Sequence, residues 1–112
     1  MTLNCIIIDD EPLAADLLAS YAKKTLFLNL IGVFNSAVEG IRAIRGNRVD
    51  LIFLDIQMPE LSGLEFAKIL PKETKIIFTT AFSQYAVEGY KANAIDYLMK
   101  PISYDDFLAG AN

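Results

Sequence analysis

Apolar residues along this chain come in two alternating arrangements, short continuous runs and segments with helical spacing. The runs are Leu3 to Ile8, Phe27 to Phe34 (interrupted by Asn29 and Gly32), Val49 to Leu54, Lys75 to Ala81 and Ala94 to Met99, and they predict five strands. Between the first two, Ala14, Leu17, Leu18 and Tyr21 recur at helical spacing from Pro12 to about Lys24, with Pro12 in the first turn, where a missing N–H costs nothing. Ser36-Ala-Val-Glu39 has capping-box spacing and opens a second helix through Arg45, stopped by Gly46-Asn47. Ser62-Gly-Leu-Glu65 repeats the pattern and starts a third, which Pro71 ends. Ser83 is the N-cap of a fourth, Gln84 to Lys91, where Gly89 costs about 1 kcal/mol against Ala and marks the least stable element. Ser103 to Asp106 cap a last helix that barely starts before Asn112, with Phe107 and Leu108 as its anchors.

Strand–helix repeated five times with short connections predicts an α/β domain, a doubly wound parallel sheet with helices on both faces. The continuous hydrophobicity of the strands agrees, because a sheet covered on both sides buries both sets of side chains. The flavodoxin-like strand order 2-1-3-4-5 is the one expected for such a sheet, and residues 1–112 are read as one domain.

Composition narrows the chemistry. The chain is 54% hydrophobic and 21% charged, yet no apolar run approaches the ~18 residues of a membrane span. The N-terminus shows no basic region followed by an apolar core, so the expected compartment is the cytoplasm, with no membrane partner. A net charge of −4 and scattered basic residues argue against direct nucleic-acid binding by this domain. Histidine is absent, which excludes a His-based zinc site, a Ser-His-Asp triad and a phosphohistidine intermediate within the chain. Cys5, the single cysteine, sits in an apolar run and reads as a small core residue.

Ligand sites of open α/β sheets lie at the carboxyl ends of the strands where the order reverses. In the order above, strands one and three are neighbours there. Asp9 and Asp10 terminate the first and Asp55 the third, so three carboxylates meet at one crevice; Thr79 and Thr80 end strand four beside them, and Lys100 follows strand five. Like charges about 4 Å apart cost roughly 4 kcal/mol at an effective dielectric near 20, and a divalent cation would cancel the excess. Oxygen ligands without His or Cys favour Mg2+, with Mn2+ as the alternative. The competing reading, an aspartate that merely caps the next helix, explains one of these acids and not three. A phosphoryl group on Asp55, with a cation and Lys100 in place, would leave the site close to neutral.

The chain resembles a response-regulator receiver domain of the CheY-like family over essentially its whole length. The resemblance rests on Ile6-Ile-Ile-Asp-Asp-Glu-Pro12, Leu54-Asp-Ile-Gln-Met-Pro59 with Gly63, Thr79-Thr-Ala81 and Asp96-Tyr-Leu-Met-Lys-Pro101, in order and at family spacing. It implies that Asp55 is the phosphoacceptor and that Asp10 ligates the metal directly, while Asp9 acts chiefly through water. It further implies that the Gln57 backbone carbonyl is a ligand, that Thr80 and Tyr97 are the switch pair, and that Lys100 is the family's lysine, followed by a cis bond to Pro101. Thr79 is left as a structural strand residue.

Phe78 to Tyr90 looks like the LytTR-type branch, whose regulators carry a C-terminal DNA-binding domain that is not in this sequence. The last helix is shorter than the family's, covers little sheet, and suggests an excised receiver rather than a stand-alone one. The resemblance implies a sensor histidine kinase as phosphoryl donor and a homodimer through the fourth helix, fifth strand and fifth helix. It also implies a switch that is no enzyme beyond its own phosphorylation and dephosphorylation. A haloacid-dehalogenase-like phosphohydrolase would need a carboxylate where Gln57 stands. A nucleotide or flavin module would meet repulsion from Asp9-Asp10-Glu11.

Overall fold

The computed structural model describes residues 2–58, 62–71, 73–81 and 94–111. The elements are β1 (Leu3–Ile8), α1 (Pro12–Lys23), β2 (Leu28–Phe34), α2 (Ala37–Gly46), β3 (Leu51–Asp55), α3 (Gly63–Lys68), β4 (Lys75–Thr80), β5 (Ala94–Met99) and a C-terminal helix (Tyr104–Ala111). The helix expected over Gln84 to Lys91 lies outside the described residues. All strand pairs are parallel, as the alternation of elements predicts, and the order is the expected β2-β1-β3-β4-β5.

Period-two alternation along the strands splits the interior into two cores. Cys5, Ile7, Leu51, Phe53, Ile77 and Leu98 face α1 and the C-terminal helix, where Leu18, Ala22 and Phe107 meet them. Ile6, Ile8, Ile52, Leu54, Ile76 and Phe78 face the other way, against Ala37 of α2 and Phe66 of α3. Cys5 is fully buried and its thiol is pushed up to about 11 by that burial, the state of a core side chain rather than a nucleophile.

β2 departs from the expectation of two buried faces. Its residues alternate, with Asn29, Ile31 and Val33 exposed, because it stands at the edge of the sheet, where helix cover is incomplete.

Local chemistry sets the helix ends. Ser62 Oγ accepts the Glu65 N–H at 3.2 Å while the Glu65 carboxylate accepts the Ser62 N–H at 3.4 Å, a complete capping box. At α2 the Ser36 hydroxyl accepts from the Glu39 N–H at 3.3 Å and donates to the Glu39 carboxylate, so the reciprocal backbone contact is replaced. α3 stops at Lys68, before Pro71: the last N–H groups tighten, Ile69 donating to Phe66 O at 3.1 Å, as the α region is disfavoured for the residue preceding proline.

The C-terminal helix does more than its length suggests. Ser103 caps it, accepting the Asp106 N–H at 3.1 Å, and Phe107 is buried with its ring stacked 4.5 Å from that of Phe53. Gly110 and Ala111 complete the buried stripe, whereas Leu108, expected as an anchor, is only half-buried. An aromatic anchor and two small residues thus seat this short helix on the core.

Candidate functional site

The carboxyl ends of β1 and β3 carry the acids. Asp9 directly follows β1 and is fully buried: its N–H donates to Phe34 O at 3.0 Å, its carbonyl accepts the Asn35 amide at 2.9 Å, and its Oδ1 accepts the Glu11 N–H at 2.9 Å. Asp55, the last residue of β3, is 2% exposed, and its Oδ1 accepts the Gln57 N–H at 3.2 Å. The next residue, Ile56, donates its N–H to Thr79 O at 3.1 Å, so the chain leaving β3 stays tied to β4. Gly63 N donates to Ile56 O at 2.8 Å and brings the start of α3 directly against this turn.

Lys100 closes the site from β5. Its N–H donates to Thr80 O at 2.7 Å, and its peptide bond to Pro101 is cis. Its ammonium lies 2.8 Å from Glu11 Oε1, 3.1 Å from Asp9 Oδ2 and 3.6 Å from Asp55 Oδ1. Burial works against that charge, but Glu11, then Asp55 and Asp9, outweigh it and raise the lysine's pKa.

Asp55 is pushed up to about 8, first by burial, then by a side-chain hydrogen bond with Asp10 and the charge of Asp9; Lys100 and the Gln57 N–H oppose the shift. One carboxylate oxygen from each of Asp9, Asp10, Glu11 and Asp55 falls within 4.8 Å of the others. Asp9 Oδ2 is buried and accepts no well-aligned hydrogen bond, even though Lys100 stands near it. Buried carboxylate oxygens crowded together, in a donor set without imidazole or thiolate, fit a hard divalent cation such as Mg2+.

The sign of the Asp55 shift has a consequence for stability. With its folded pKa near 8 against an ordinary 3.8, the metal-free protein holds a proton that the unfolded chain releases. The stability that proton contributes is complete below about pH 4 and is lost as pH rises through about 8. Urea unfolding with chelator present should therefore show stability falling more steeply between pH 5 and 8.5 for the wild type than for Asp55→Asn. Parallel curves would contradict the shift.

Asp9, Asp10, Asp55 and Lys100 thus come together. Thr80 is buried at the end of β4, and Tyr97 of β5 is half-buried and packs on the core beneath α2 and α3. Gln57 is exposed just past Asp55. Glu11 was not among the residues expected to serve the site, although it makes the shortest ion pair of Lys100. The available signal was parity: Glu11 lies two residues beyond Asp9, so an extended chain carries both acids toward the same side.

A model of the response regulator receiver domain matches residues 5–112. The transcriptional regulatory protein BtsR of Escherichia coli K12 is 43% identical over 102 residues, which cover 89% of this chain and 43% of that protein. An uncharacterized response regulatory protein of Vibrio cholerae is 40% identical over the same length and shares. The chain therefore spans less than half the length of these relatives. Among solved structures, the response regulatory domain of mrkE from Klebsiella pneumoniae superposes with a TM-score of 0.87 at 30% identity, covering 96% of this chain and 91% of that one. The receiver domain of the putative regulator NarL from Mycobacterium tuberculosis gives 0.88 at 16% identity, a likeness of fold alone.

Proposed function

The chain belongs to the response-regulator receiver family, and from that premise we propose that Asp55 accepts a phosphoryl group from a sensor histidine kinase in a Mg2+-dependent transfer. The observation that carries this reading is Asp55 at the strand end, faced by the Lys100 ammonium and crowded by acids that a cation would relieve. Receiver domains are switches and not a catalytic enzyme family, so the chemistry proposed is the domain's own phosphorylation and dephosphorylation.

In the transfer, an Asp55 oxygen attacks phosphorus, the nitrogen–phosphorus bond of the donor breaks, and its electron pair returns to the donor imidazole. Asp9, Asp10, Asp55 and the Gln57 backbone carbonyl would hold the Mg2+. When bound, the ion supplies charge neutralisation to the acids and to the incoming phosphoryl oxygens. Lys100, already 3.6 Å from Asp55, contacts a phosphoryl oxygen as a point charge. The Thr80 hydroxyl donates to another, and Tyr97 turns into the space that Thr80 vacates, shifting the population of two conformations.

Residues 1–112 are read as one receiver domain, and the output as a LytTR-type DNA-binding domain elsewhere in the full-length regulator. The relatives named transcriptional regulatory protein, and their greater length, support an output that acts on transcription; its LytTR type rests on the resemblance of the stretch Phe78 to Tyr90. The switched surface formed by the fourth and fifth predicted helices with β5 would serve homodimerisation or output contact. No described helix is long and apolar enough to cross a membrane, and a cytoplasmic location is part of the proposal.

Incubation with acetyl phosphate and Mg2+ should add a single phosphate by intact mass, with none on Asp55→Asn and none under chelator. Undiminished modification of Asp55→Asn would remove the assignment.

A further inference from the structure

Among the described residues Thr79 Oγ1 is buried without a hydrogen-bond partner, whereas the buried Asp9 Oδ2 has the Lys100 ammonium 3.1 Å away. They lie on either side of Asp55. Ile8 pairs with Leu54, so Asp9 continues β1 beside Asp55, and Asp55 itself pairs with Thr79 of β4. Ile7, Phe53 and Ile77 share one core, which fixes the parity two residues on: Asp9, Asp55 and Thr79 project from the same face of the sheet in a row across three adjacent strands. The Lys100 ammonium accounts for Asp9 Oδ2. Nothing in the resting site accounts for the orphaned hydroxyl on Thr79, which is completely buried and would pack as well as valine.

We propose that Thr79 is a positioning residue for Asp55: its hydroxyl is kept unpartnered in the resting protein and donates to the free side-chain oxygen of Asp55 once the other carboxylate oxygen is bonded to phosphorus. The reach is ordinary. Same-face side chains on neighbouring strands start about 5 Å apart, and a staggered rotation about either side chain brings a hydroxyl and a carboxylate oxygen together. Asp55 gains a definite orientation from the neutral donor. Thr80, one residue on, keeps the separate role of reaching a phosphoryl oxygen. The inference rests on the receiver reading above.

Beryllofluoride with Mg2+ serves as the phosphoryl mimic, and the tested proteins are wild type, Thr79→Val and Thr79→Ser. Valine should raise the melting temperature of the metal-free protein by about 4 °C, because it removes an unsatisfied buried hydroxyl. The same substitution should weaken beryllofluoride–Mg2+ binding about tenfold, while serine stays within about twofold of wild type. Equal affinity in wild type and Thr79→Val overturns the proposal. So does a fall in the metal-free melting temperature of Thr79→Val, since the hydroxyl would then be partnered at rest. Failure of the wild type itself to bind beryllofluoride would instead strike at the receiver reading, and the role of Thr79 would go with it.

Discussion

Gly63→Ala should unfold this protein some 10 °C below the wild type, a loss of about 3 kcal/mol, and should weaken Mg2+ binding in whatever remains folded. The glycine's dihedral angles do not demand it, since no described glycine has positive φ. Space demands it. A Cβ at position 63 would strike the Asp55 carbonyl oxygen and stand 2.8 Å from Ile56 Cα and 2.9 Å from the Asp55 carbonyl carbon, all backbone atoms that have no rotamer to change. Relief requires moving α3 away from the turn that aims Asp55, so stability and metal affinity fall together. Two other glycines give the scale. At Gly40 the clash is with the tip of Ile8, a side chain that yields at moderate cost, and at Gly46 nothing lies within 4 Å. Melting curves should rank the alanine variants 46, 40, 63 from most to least stable; a Gly63→Ala protein as stable as Gly46→Ala would refute the close-approach argument.

Lys100→Met should be the most damaging change of charge, and its cost should depend on pH. Methionine keeps most of the buried stem and removes the ammonium that faces Asp9, Glu11 and Asp55. A buried pair broken on one side costs about 3–5 kcal/mol because the remaining charge is uncompensated. Asp9 is fully buried and Asp55 nearly so, which leaves little water to replace the lost ammonium. Protonation of Asp55, whose carboxyl is pushed up to about 8, relieves part of that cost, and so does a cation. Urea midpoints should therefore show a large deficit at pH 8 without metal, a smaller one at pH 5, and partial recovery with saturating Mg2+. Phosphorylation by acetyl phosphate should drop about 100-fold, the scale of removing one preorganised donor from a transition state. A pH-independent deficit would mean that the lysine matters through its stem.

Short-range chemistry was readable from the residues alone. Ser62 and Glu65 form their capping box because both partners lie within one helical turn. The order of the sheet was legible too, since right-handed crossovers and short connections leave few ways to lay down alternating strands and helices. The convergence of Asp9, Asp10 and Asp55 follows from that order. What escaped depends on what opposes a residue in space. Glu11 meets Lys100 across 89 positions, and no local pattern announces such a pair. Phe107 stacks on Phe53, a partner invisible from the sequence of its own helix. Gly63 was legible as a loop glycine, but its reason, the backbone of Asp55 pressed against it, is purely tertiary. Thr79 reads as an ordinary β-branched strand residue until register sets it beside Asp55.

β3 is flanked by β1 and β4, and every one of its side chains is buried. Its amides therefore have no shallow route to solvent, and hydrogen exchange at Ile52, Phe53 and Leu54 should proceed only through opening of the whole domain. β2, at the rim, can release its outward amides by local fraying. The slowest-exchanging amides should thus run into Asp55 itself, so that partly opened forms which shed the rim keep the acid anchored to an intact strand.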